Sequence, residues 1–126
     1  DYVITKFLQT PRIQTYLLAF LVSDFDYATA TNTRIPQKIY ARPELIERGF
    51  GDFAATVVGP ILRGLEEHIG VDYPISKMDH AALSLFNFGA MENIGLITYT
   101  ESGLLFDPNT TPASQESRRM SITRLI

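Results

Sequence analysis

Between Gly51 and Ile69 the apolar residues Phe53, Val57, Val58, Ile61, Leu62, Leu65 and Ile69 recur every three or four positions, with Asp52, Thr56, Arg63, Glu66 and Glu67 between them. That period predicts a single amphipathic helix over the segment. Pro60 lies inside it and removes a backbone donor, which predicts a kink rather than two helices. Gly70 and Asp72-Tyr73-Pro74 then end the helix, because glycine accepts the left-handed conformation and proline cannot continue the spiral. The pattern is different before Tyr40, where extended segments dominate. Tyr16 to Ser23 is an almost continuous apolar run that reads as a strand buried on both faces. A polar stretch from Tyr27 to Thr33 separates it from a second strand, Gln37 to Ala41, and the two read as neighbours. After the helix, Met78 to Leu83 and Ile94 to Thr100 are short apolar stretches with β-branched and aromatic members. The run Gly89-Ala90-Met91-Glu92-Asn93 between them reads as a strand edge or turn. Thr111-Pro112 opens a last helix, with threonine as cap and proline at the first helical position, and Ser114 to Ile126 continues it.

Composition narrows the classes. The chain has 126 residues and 45% hydrophobic positions, enough to bury a core. A formal net charge of -3, with 11 scattered Lys and Arg, supplies no basic field, so nucleic acid is not an expected partner. There is no cysteine, which removes disulfides, thiolate nucleophiles and cysteine metal ligands. The longest apolar run is far shorter than the roughly 20 residues a spanning helix needs. His68 and His80 are the only histidines, too few and wrongly spaced for a catalytic zinc site with three protein ligands, so no metal ligand is expected in this segment. Glu66-Glu67 and Arg118-Arg119 read as solvated helix faces, Lys77 and Asp79 as a surface pair on one side of a strand, and Tyr99 as a strand packing residue. Asn109-Thr110-Thr111 fits the N-glycosylation acceptor pattern on a loop.

Taken alone, Gly89 to Asn93 reads as an ordinary turn with a solvated glutamate. Its surroundings change that reading. Thr15 to Phe20, Arg42-Pro43-Glu44, Tyr73-Pro74-Ile75-Ser76-Lys77-Met78-Asp79, Ala82, Phe86, Gly89 to Asn93 and Gly95-Leu96-Ile97-Thr98-Tyr99 follow one family's order and spacing over nearly the whole chain. They resemble the zinc aminopeptidases of the gluzincin class, of the aminopeptidase N type, and in tone the insect midgut members. The departures are Ile94 where the family most often has tryptophan, Ser84-Leu85 where it usually has Pro-Asp, and Thr100 where arginine is common.

The resemblance implies an α+β fold in which residues 1–41 end an N-terminal β domain and residues 42–126 begin a thermolysin-like catalytic domain. It implies a parent enzyme on the extracellular face of the cell membrane that removes N-terminal residues from peptides. Zinc would belong to that parent and not to this segment. The terminal helix would lead into His-Glu-x-x-His, and the chain ends at Ile126 where that motif is expected, so the segment alone is expected to be inactive. It also implies roles for the five motif residues as a substrate clamp. Glu92 would pair with the free ammonium that marks a peptide N-terminus, a charge-assisted contact that an internal amide cannot offer. Gly89 and Ala90 would let backbone approach an extended peptide, Met91 would pack beside the first side-chain pocket, and Asn93 would orient Glu92 or touch substrate. The competing expectation is a binding segment on an aminopeptidase scaffold without turnover, since the family includes insect receptors for bacterial pore-forming toxins.

Overall fold

The computed structural model describes residues 2–109, 122 and 126. Five strands form one sheet: β1 (Asp26–Thr29), β2 (Lys38–Ala41), β3 (Asp79–Leu83), β4 (Ala90–Met91) and β5 (Leu96–Thr100), in the order β1-β2-β3-β5-β4. The central strands β2, β3 and β5 run parallel, while β1 and β4 pair antiparallel at the two edges. Parallel neighbours need a long crossover. Between β2 and β3 it is supplied by two helices, α1 (Pro43–Glu47) and α2 (Asp52–Ile69), and a third short helix, α3 (Glu101–Leu104), follows β5 directly. This is an α+β arrangement, the expected class. The expected division between residues 1–41 and 42–126 would run through the sheet, between β2 and α1.

The periodic segment does form one helix, α2, and Gly70 caps it with φ +75°, its N–H bonding the carbonyl of Glu66 at 2.8 Å. Ala54, Ala55, Val58, Gly59 and Leu62 are buried, and α2 lies against β1 and β2. The approach is close at Gly59, where a Cβ would stand 2.6 Å from the carbonyl oxygen of Asn32. Met78, Ala81 and Ala82 of the β3 region and Ile97 and Tyr99 of β5 complete the core, with both faces of these strands covered.

Three expectations need correction. Tyr16 to Ser23 is not a buried strand: Thr15–Leu17 forms a single 3₁₀ turn, and Leu18, Phe20 and Val22 are 62%, 82% and 92% exposed. An apolar run becomes a strand only where a ladder receives it, and among the described residues this one is held by two bonds, Ile94 N–H to the Leu17 carbonyl and Asn93 Nδ2 to the Tyr16 carbonyl. The antiparallel partner of β2 is instead β1, which begins one residue before the stretch read as a polar separator and runs into it. Tyr27 stands opposite Tyr40 with ring centroids 5.6 Å apart, and the Lys38 ammonium lies 3.7 Å from the Tyr27 centroid. Nor is Glu66 solvated. Its side chain is 10% exposed, takes both an ion pair and a second hydrogen bond from Arg34, and accepts the Tyr73 N–H at 2.8 Å. Hydrogen bonds from Arg34 hold its carboxyl below the usual range. The helix expected from Ser114 to Ile126 lies outside the described residues except for Ile122, which is buried in the core, and Ile126.

Candidate functional site

The five motif residues sit on the outer side of β5. Met91 and Ala90 form the edge strand β4, opposite Thr98 and Tyr99, and the carbonyl of Gly89 accepts the Thr100 N–H at 3.0 Å. Since β4 ends the sheet, its outward N–H and C=O groups have no strand partner among the described residues. Such an edge is the kind of template an extended peptide can join. Gly89 is exposed and a Cβ there would meet no atom within 4 Å, so the space above it is open. Ala90 and Met91 are half-buried.

Glu92 follows the strand, is exposed, and makes no hydrogen bond or ion pair with any described residue. Asn93 behaves differently. It is 7% exposed, donates Nδ2 to the Tyr16 carbonyl at 3.2 Å, and accepts the Thr98 hydroxyl at 3.3 Å. Its side chain therefore ties the Thr15–Leu17 turn to the sheet and is spent on structure, 77 positions away in sequence. The chain then reverses at Asn93–Leu96, closed by the Leu96 N–H on the Asn93 carbonyl at 3.2 Å, with Gly95 at φ +76° in the third position. A turn of type II requires positive φ there, which selects glycine.

Sequence reasoning missed what surrounds this reversal. Gly95 is buried, its N–H donates to the Tyr73 hydroxyl at 2.8 Å, and its carbonyl accepts both Lys77 Nζ at 2.7 Å and the Asp79 N–H at 3.0 Å. Lys77 also holds Asp79 at 2.7 Å, the surface pair that alternation along the strand predicts. Burial raises the Tyr73 phenol above its ordinary value. The left-handed glycine was the available signal, for its polar groups must be satisfied somewhere.

Beneath the motif, Tyr99 and His80 are fully buried. Gln37 donates Nε2 to the Thr33 hydroxyl at 2.7 Å and presents Oε1 to His80 Nε2 at 2.9 Å. That arrangement puts the imidazole proton on Nε2 and leaves Nδ1 to accept the Tyr99 hydroxyl at 3.1 Å. Burial lowers the His80 pKa to about 3 and raises that of Tyr99. Both ring nitrogens of His80 are thus occupied, His68 is exposed on the last turn of α2, and no three His, Cys, Asp or Glu among the described residues stand together as metal ligands. These residues do not fit a zinc centre. No described helix is long and apolar enough to cross a membrane. A hollow of about 500 Å³ lined by Leu8, Gln9, Thr10, Pro11, Pro74, Ile75 and Ser76 contains no motif residue. Asn109 is exposed, with its N–H and Nδ2 both on Asp107 Oδ1 at 2.9 Å, while Thr110 and Thr111 lie outside the described residues.

Residues 53–124 match the peptidase family M1 domain. The chain is 46% identical over 120 residues to aminopeptidase N of Rattus norvegicus, covering 94% of this chain and 12% of that protein. To aminopeptidase N of Homo sapiens it is 45% identical over 123 residues, and to that of Oryctolagus cuniculus 43% over 123, each covering 97% of this chain and 13% of the relative.

Proposed function

Because the chain belongs to peptidase family M1, we propose that it supplies the element recognising the substrate N-terminus in a zinc aminopeptidase several times its length. The observation that carries this reading is the unpaired, exposed carboxylate of Glu92 at the end of a sheet-edge strand whose outward backbone groups are open. A peptide laid along β4 would exchange main-chain hydrogen bonds with the outward N–H and C=O of Ala90, over the open space at Gly89, and bring its terminal ammonium to Glu92. A charge-assisted hydrogen bond of that kind contributes roughly 1.5–3 kcal/mol, and an internal amide forgoes it. Asn93 acts by holding the backbone, not by touching substrate. Zinc, which the family implies, would be held by residues other than those described, and the role of this segment ends with recognition.

In this reading the whole enzyme acts outside the cell at a membrane surface, and Asn109, on an exposed turn, suits a glycan there. The relatives named above are mammalian and lend no support to an insect midgut origin or a toxin partner; among the described residues no feature favours the receptor reading.

Glu92→Gln in the whole enzyme keeps the shape and removes the charge. It should lower kcat/KM for free-amine peptides about 10- to 150-fold with zinc content unchanged. Binding of an N-acetylated peptide should change far less. Wild-type turnover of free-amine peptides by the folded variant would make Glu92 a solvated turn residue.

A further inference from the structure

In the reversal after the motif, Asn93 and Ile94 are tied to the Thr15–Leu17 turn, whereas Gly95 is held by a different upstream segment. Gly95 is buried in the left-handed region, and each of its two polar groups is satisfied by residues between 73 and 79: Tyr73 Oη accepts its N–H at 2.8 Å, and Lys77 Nζ with the Asp79 N–H takes its carbonyl at 2.7 and 3.0 Å. The segment is itself anchored. Tyr73 donates its own N–H to Glu66 on the last turns of α2, and Glu66 is held by Arg34. Lys77 is fixed by Asp79 at 2.7 Å.

Glu92 lies between two attachments. On one side is the β4–β5 register, Met91 opposite Thr98, and on the other is the 93–96 reversal. The strand side contributes only two residue pairs, too few to define where a carboxylate one position beyond the strand points. A site for an ammonium needs its partner held to within about 0.5 Å. We propose that Tyr73 and Lys77 are positioning residues for Glu92: by holding the two peptide groups that flank the Gly95 Cα, one at its N–H and the next at its carbonyl, they set the direction of a carboxylate they do not touch. The proposal rests on the reading of Glu92 as the ammonium partner.

The test measures, in the whole enzyme, the ratio of affinities for a dialanine amide and its N-acetyl twin as competitive ligands. Loss of folded protein cancels in that ratio, so a purely structural role for Tyr73 would leave it unmoved. Tyr73→Phe, which removes only the hydroxyl, should reduce the amine preference roughly threefold to tenfold and speed hydrogen exchange in a peptide spanning residues 93–96. Lys77→Met, which frees the Gly95 carbonyl, should reduce it by a similar factor. Combined with Glu92→Gln, neither should reduce it further, because each acts through Glu92. An unchanged preference in both single variants, or a double variant that falls below Glu92→Gln by the same factor that separates its single variant from wild type, overturns the proposal. If instead Glu92→Gln leaves the preference intact, the ammonium reading itself is wrong, and the proposal falls with it.

Discussion

The two flanks of β5 are built on opposite terms. Its inner flank pairs with β3 over five registered positions, from Asp79 opposite Leu96 to Leu83 opposite Thr100, and closes over Ala81, Ala82, Ile97 and Tyr99. Its outer flank pairs with β4 over two positions, both half-buried, and is approached by a loop in which Leu85 is 94% and Phe88 70% exposed. On the inner flank no buried side-chain polar atom among the described residues lacks a partner, and Tyr99, His80, Gln37 and Thr33 form one hydrogen-bonded series. The outer flank leaves the Glu92 carboxylate and the outward backbone groups of Ala90 without a partner among the described residues. One strand thus carries both a closely packed support on one side and an open edge on the other.

Acid should expose this asymmetry most strongly. The pKa of His80 is about 3 in the fold and near 6.5 unfolded. Between those values the unfolded chain binds the extra proton, so stability is fully present above pH 6.5 and falls as pH drops towards 3. His80 faces the Tyr99 hydroxyl and the Gln37 amide, neither of which compensates a buried cation. The loss reaches up to about tenfold in the folding equilibrium per pH unit, roughly three orders of magnitude across the window. Denaturant titrations at several pH values should show a slope shallower by one proton in His80→Leu; an equal slope would mean that the inner flank tolerates the charge.

Truncating one side chain on each flank compares them directly. Ile97→Ala should cost about 2–5 kcal/mol, whereas half-buried Met91→Ala should cost about 1 kcal/mol. Equal shifts in the urea midpoint would remove the distinction between support and edge. An effect smaller than that of Ile97→Ala is expected for Tyr99→Phe, which strands the His80 Nδ1 acceptor in the interior at a cost of about 1–3 kcal/mol. Thermal unfolding unchanged from wild type would mean that the hydroxyl contributes nothing to the support. Leu85→Ser should lie within about 0.5 kcal/mol of wild type, because the residue is almost wholly exposed. A larger loss measured by calorimetry would reveal packing in the loop that leads into the motif.

Helix α2, its glycine cap, strands β3 and β5 and the edge placement of Gly89 to Asn93 were all legible in the residues themselves. Each depends on a period of a few positions or on the special backbone freedom of one glycine, and such signals act locally. The same holds for Lys77 with Asp79, two positions apart on one side of the chain. What tertiary structure decided was every matter of pairing. Asp26–Thr29 carries little apolar signal and is a strand because β2 receives it, while the apolar run Tyr16 to Val22 is not one because no described ladder does. Glu66 left the solvent because Arg34, 32 positions away, meets it, and Asn93 became structural because Tyr16, 77 positions away, does. A hydrogen bond or ladder depends on which groups the folded chain brings within reach, and at those separations no local pattern records the partner.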